Sequence, residues 1–149
     1  MPDWEQKVRE AFSLAQGVNL KIWKSGYPKR SAIEPDAIMF IYADFSWQGA
    51  KMLELLSSLC SRCSKNGEDY KLTMHILNPM SLEPADYVEI QQSYGPLEGS
   101  GGRGECYFVR KGEVRVTWSG LGLTGDAVNE LNRLSDLFKG TYIDNIDEI

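Results

Sequence analysis

The chain has 149 residues, 42% of them apolar and 25% charged, with a net charge of −5. That is enough for one domain with a substantial core, and the negative balance opposes general attraction to nucleic-acid phosphates or anionic lipid. No run approaches the ~18 apolar residues of a membrane span, and Met1-Pro2-Asp3-Trp4-Glu5 lacks the basic and then apolar segments of a secretory signal, so the expected compartment is the cytoplasm.

Asp3 is a candidate N-cap for a first helix, with Trp4, Val8, Ala11, Phe12 and Ala15 at helical spacing and Gly17 to end it. Val18, Leu20 and Ile22 alternate with Asn19 and Lys21, which predicts a half-buried strand up to Trp23. Residues 25–36 hold Gly26, Pro28 and Pro35 and read as a loop. The early basic residues Lys21, Lys24, Lys29 and Arg30 read first as a solvated face. Ala37 to Phe45 is nearly continuous in apolar and aromatic residues, as in a central strand covered on both faces.

Ser46 can cap the helix that follows, whose apolar stripe is Met52, Leu55, Leu56, Leu59, Cys60 and Cys63, with Asn66-Gly67 as its stop. Tyr70 to Leu77 is a further strand, and Pro84 fits the first turn of a short helix running to Tyr94 before Gly95-Pro96. Residues 97–104 form a glycine-rich loop. Glu105–Val109 and Val114–Trp118 flank Arg110-Lys111-Gly112-Glu113, a hairpin signal. Thr124 opens a last helix with Val128, Leu131, Leu134 and Phe138 on one face, before Gly140 and an acidic tail. Without repeats or linkers, one domain is expected over residues 1–149, with a core of about 18–139 and a tail of 140–149. Helix-linked strands followed by a tight hairpin predict an α/β fold with a mixed central sheet, helices on both faces and an N-terminal helix.

This order resembles the thioredoxin-like superfamily, and so do several local features. Tyr42-Ala43-Asp44-Phe45 resembles the Trp-Ala-Glu-Trp that ends the family's central strand, and Lys51-Met52 the Lys-Met after its active-site pair. Lys71-Leu72 through Leu77-Asn78 resembles the next strand, Gln92-Ser93-Tyr94-Gly95 the family's Lys-Tyr-Gly turn, and Tyr107 to Val114 its Leu-Phe-Lys-Asn-Gly-Glu-Val hairpin. The likeness covers roughly residues 37–138 and implies a three-layer thioredoxin-like sandwich. It departs from the family at the chemistry. Where relatives carry Trp-Cys-Gly-Pro-Cys, this chain has Phe45-Ser46-Trp47-Gln48-Gly49, and the position of the family's cis-proline falls near Gly104. Disulfide exchange needs a thiolate at that helix N-terminus, and a serine hydroxyl does not replace it.

Three sites compete. Ser46, Trp47, Gln48 and Gly49, with Arg103 and Gly104 from the glycine loop, form a candidate binding surface: a helix N-terminus beside an aromatic anchor. The plainer alternative is that Ser46 only caps the helix and Trp47 packs on a neighbouring loop. Cys60-Ser61-Arg62-Cys63 is a CxxC, but it lies late in its helix, where the dipole opposes a thiolate, and both cysteines continue the apolar stripe. Residues 99–104 match GxGxxG, yet they follow a helix and lead into a strand, the reverse of a dinucleotide site. Asp44 is a candidate buried carboxylate and His75, the single histidine, a hydrogen-bonded core residue.

No metal site or cofactor is expected, because Cys106 and His75 stand alone. The expected function is a redox-inactive module that binds a protein or peptide, with no catalytic residue. One alternative is an atypical thiol oxidoreductase or redox sensor using Cys60 and Cys63, with Cys106 as resolver. A further alternative is a small acidic inhibitor or immunity-type protein that masks a basic partner.

Overall fold

The computed structural model describes residues 3–15, 18–66, 72–96 and 105–118. Asp3 caps the first helix, α1 (Trp4–Ala11), its carboxylate accepting the Gln6 N–H at 2.8 Å. The helix is shorter than its apolar spacing predicts. After Ala11 the hydrogen bonds tighten to three-residue spacing, from Ser13 N–H to Glu10 O and from Ala15 N–H to Phe12 O. Phe12 and Ala15 nonetheless stay buried in the core.

The strand β1 (Val18–Trp23) follows, exposing Asn19 and Lys21 as their alternation predicts. A connection with one 3-10 turn at Arg30–Ala32 leads to β2 (Ala37–Ile41), whose five residues are all buried. The strand stops four residues before Phe45, where the sequence pattern places its end. Tyr42 still donates its N–H to Leu77 O at 3.0 Å, and Ala43 O then accepts the Ser46 N–H at 3.2 Å and turns the chain. The helix α2 (Trp47–Asn66) and the strand β3 (Leu72–Leu77) come next. A 3-10 turn at Pro79–Ser81 precedes α3 (Pro84–Tyr94), which has proline in its first turn and ends at Gly95, φ 118°.

The last described elements are β4 (Cys106–Arg110) and β5 (Glu113–Trp118). Their turn has two residues rather than the four expected. Lys111 and Gly112 both take positive φ, 53° and 81°, the mirror-image turn whose twist matches that of paired strands. The expected helix from Thr124 to Phe138 and the acidic tail lie outside the described residues.

The five strands form one mixed sheet in the order β1-β3-β2-β4-β5. β1, β3 and β2 are parallel; β4 runs antiparallel to β2, and β5 to β4. Side chains alternate between two cores, as the two-residue period of a strand requires. Ile38, Phe40, Met74, Ile76, Cys106 and Phe108 pack with α1 and α2 on one face. Met39, Ile41, Leu77 and Tyr107 pack with α3 and the connection between β1 and β2 on the other. The chain therefore leaves β2 toward one face and β3 toward the opposite face. The crevice between two such strand ends is where open α/β sheets bind ligands. No helix among the described residues is long and apolar enough to cross a membrane.

Candidate functional site

The turn between β2 and α2 sits at that strand edge and is fixed by several short contacts. Ser46 is the N-cap of α2: its Oγ accepts the Gly49 N–H at 3.0 Å, and its own hydroxyl reaches Gln48 Oε1 at 3.3 Å. Its carbonyl accepts the Ala50 N–H at 3.0 Å and starts the helical ladder. Gly49 has a packing role as well. A Cβ there would lie 2.3 Å from Ala43 O, so the first turn of α2 rests directly on the backbone that leads into it.

The preceding residues are tied to α1. The Trp4 indole N–H donates to Tyr42 O at 2.8 Å, and the two rings stack with centroids 6.2 Å apart. Lys7 Nζ meets Asp44 Oδ2 at 3.1 Å. Asp44 is thus a half-exposed ion-pair partner, not a buried carboxylate. Glu5 adds a third link, to Lys24 Nζ at 2.9 Å just beyond β1.

Two large apolar side chains stand out from this fixed turn. Phe45 is 70% exposed and Trp47 is 55% exposed, on either side of Ser46. As the first residue of α2, Trp47 points away from the face that carries Met52 and Leu56 into the core. Phe45 escaped the sequence reading because it ends an apolar run, and a run alone does not show where the strand stops. Met80, 79% exposed, follows β3 at the same sheet edge.

Ser46, Trp47, Gln48 and Gly49 make up the cap and first turn of α2; Arg103, Gly104 and the rest of the glycine loop lie outside the described residues. Comparison with protein-family models, with curated proteins and with solved structures finds no match.

The cysteines lie elsewhere. Cys60 is fully buried on the inner face of α2, and Cys106 is fully buried in β4 within the same core cluster. Burial, reinforced by the neighbouring Glu105 carboxylate, pushes the Cys106 thiol well above its ordinary range. The Cys63 side chain lies outside the described residues. Among the described residues, no three histidine, cysteine or acidic side chains gather as a metal site.

Glu105 is a feature the sequence reading passed over. It is fully buried one residue before β4, where its carbonyl accepts the Ile41 N–H at 2.9 Å. Its charge raises the pKa of Tyr87 and of Tyr107, on top of the larger effect of burial. The only signal in the sequence was an acidic residue at the head of an apolar strand.

The early basic residues do not form an open patch. Lys21 pairs with Glu34 at 2.7 Å, Lys24 with Glu5 and Lys29 with Glu89 at 3.1 Å. Arg30 donates to Gly112 O at 2.6 Å and packs over the Tyr94 ring. Exposed pairs of this kind add little stability. Their effect here is to neutralise the charges.

Proposed function

We propose that this chain is a thioredoxin-like, redox-inactive module that binds a protein or peptide through the turn from Phe45 to Gly49. One observation carries the reading: Phe45 and Trp47 are largely exposed on a turn that is otherwise held rigid. Aromatic side chains on a fixed scaffold supply much contact area at small cost in lost freedom, which makes them strong anchors in protein interfaces.

The thioredoxin-like part of the proposal draws support from the strand order and from a parallel trio followed by an antiparallel hairpin. Under that likeness Ser46 occupies the place of the nucleophilic cysteine, so the position lacks the thiolate that disulfide exchange requires. Burial of Cys60 and Cys106 supports the same conclusion.

Two measurements test the reading together. In an insulin-reduction assay the protein should show no thiol-dependent turnover; turnover that persists in Cys60→Ser/Cys63→Ser would reject redox inactivity. Partner capture from the native host should fall at least about tenfold in Phe45→Ser/Trp47→Ser, the loss typical of interface anchors, while the melting temperature is unchanged. Undiminished capture by this variant would remove the turn from the interface.

A further inference from the structure

The α3-side face of β3 carries a polar assembly that the proposed binding turn does not use. His75 is the only histidine in the chain and is 2% exposed. Both ring nitrogens are engaged. The Trp23 indole nitrogen contacts Nδ1 at 3.0 Å, and an indole can only donate, so Nδ1 is the acceptor. The proton of the neutral ring therefore sits on Nε2, which donates to Glu34 Oε1 at 2.6 Å. Glu34 takes Lys21 Nζ on its other oxygen at 2.7 Å. Three segments meet at one imidazole: the end of β1, the middle of β3, and the connection between β1 and β2.

We propose that His75 is a proton-operated latch that holds Trp23 and the 24–36 connection against the sheet at neutral pH and releases Trp23 when the ring takes up a proton. The incoming proton can bind only the Nδ1 lone pair. There it faces the indole N–H; two donors then oppose each other, and the bond to Trp23 is lost. The Nε2–H stays on Glu34, and that contact becomes a charge-assisted ion pair, stronger than before. The neutral ring grips both neighbours, whereas the cation grips only Glu34. Each state has its own partner set, which makes the element two-state.

The surroundings favour the neutral form. Facing the ring are Lys21 and Trp23 from β1, Glu34 from the connection, and the apolar Met39 from β2, which is opposite His75 in the sheet register. From the α3 layer, Tyr94 senses Arg30, Glu34 and Tyr27. The charges that act on the ring itself are Glu34, which favours the cation, and Lys21, which opposes it. Burial opposes the cation more than either, and the balance lies on the neutral side.

Release would be felt locally. Trp23 is the last residue of β1, pairs with Leu77, and packs in the α3-side core beside Tyr27 and Ile33. Its carbonyl accepts the Asn78 N–H at 3.2 Å, so it also joins the two parallel strand ends.

Having one histidine makes the test direct. Side-chain NMR of His75 and of the assigned Trp23 indole is followed from about pH 8 to about pH 4.5, spanning the range in which imidazole titrates. The Nε2–H tautomer is expected at the alkaline end. Both resonances should then shift with one shared midpoint below the ordinary 6.5. Amide exchange in residues 24–29, next to Trp23, corrected for intrinsic pH dependence, should speed up at least about tenfold across that midpoint, with the Glu34 end of the connection, β2 and β4 unchanged. In Trp23→Phe the midpoint should rise, because Nδ1 no longer faces a donor. The proposal is overturned by an Nδ1–H tautomer, by a Trp23 indole that stays put while His75 titrates, or by an unmoved midpoint in folded Trp23→Phe. If that variant does not fold, the titration of the native chain still decides.

Discussion

Replacing Gly49 by alanine tests the tightest contact of the candidate site. The added Cβ would sit 2.3 Å from Ala43 O, 3.2 Å from its carbonyl carbon and 3.4 Å from its nitrogen. The oxygen cannot simply swing aside, because it accepts the Ser46 N–H that turns the chain. Relief therefore requires either that this bond break or that the first turn of α2 lift away. Lifting the turn strains the cap, since the Gly49 N–H is the donor to Ser46 Oγ. Overpacking a closed site costs about 1–3 kcal/mol, and a lost hydrogen bond adds roughly 1 kcal/mol. Against this, alanine gains up to about 1 kcal/mol over glycine in helix propensity. The net expectation for Gly49→Ala is a loss of about 1–3 kcal/mol. Urea unfolding should show a lower midpoint with an unchanged slope, since the surface exposed on unfolding is nearly the same. A control at Gln48→Ala, on the same turn but without a backbone obstruction, should stay within roughly 1 kcal/mol of the parent. A Gly49→Ala protein as stable as the parent would mean that α2 does not rest on Ala43, and the rigid turn beneath Phe45 and Trp47 would fall with it.

Three other perturbations probe the same framework. Ser46→Cys should place a thiol at a helix N-terminus, with a pKa below the ordinary ~8.5, so that it alkylates at least about tenfold faster than buried Cys60 in the native protein; comparable rates would contradict the assigned end of α2. Trp4→Phe keeps an aromatic ring against Tyr42 but deletes the donor to its carbonyl; a loss of about 1 kcal/mol is expected, with faster amide exchange confined to residues 43–46, and no change there would mean that α1 does not hold the turn. Acidification should weaken the fold in two stages. Burial tends to raise the Glu34 pKa, but the Lys21 and His75 hydrogen bonds outweigh it and hold the carboxylate at about 2, against an ordinary 4.5; His75 is displaced below 6.5, chiefly by burial. For both groups the unfolded chain binds protons first as pH falls, so stability present above 6.5 declines below it and declines again between 4.5 and about 2. Glu34→Gln should shrink the lower stage in pH-dependent urea midpoints, Glu5 and Glu89 also being held below 4.5 by their hydrogen-bond partners, and an unchanged stage would assign it to those carboxylates.

Much of this architecture could be read from local pattern. Ser46 ahead of an apolar stripe marked the N-cap, and an uninterrupted run from Ala37 marked a strand buried on both faces. These features are legible because their causes lie within a few residues of each other. The remainder depends on partners distant in the chain. Trp23 and His75 are 52 residues apart, and Glu34 and His75 are 41 apart. Only the sheet register and the path of the connection bring these three together. Gly49 read only as part of the candidate binding surface, because its packing reason is a carbonyl six positions earlier, met only after the chain has turned. Phe45 read as core because a strand's end is set by where its ladder partner stops, here Leu77 bonding to Tyr42. The tight hairpin turn was legible in type but not in length, since Arg110 and Glu113 can serve equally as loop residues or as the last strand pair they prove to be.

The turn at residues 42–49 is held far more firmly than a surface loop of its length requires. Trp4 and Lys7 grip Tyr42 and Asp44 from α1, Ala43 O anchors the Ser46 N–H, and Ser46 and Gly49 lock the start of α2. Constraint of this density normally goes with burial, as side chains pack inward around the fixed backbone. Here Phe45 and Trp47 instead face outward, 70% and 55% exposed, and forgo a large part of the about 1.5–3 kcal/mol that full burial of a large apolar side chain contributes. A core that can enclose Phe40, Tyr42 and Phe108 on the same side of the sheet has no shortage of aromatic packing. A fixed backbone presenting two unburied rings has already lost the freedom that binding would otherwise have to remove. On the proposed reading, this combination is what an interaction surface needs and what a capped helix that merely begins at the protein surface does not.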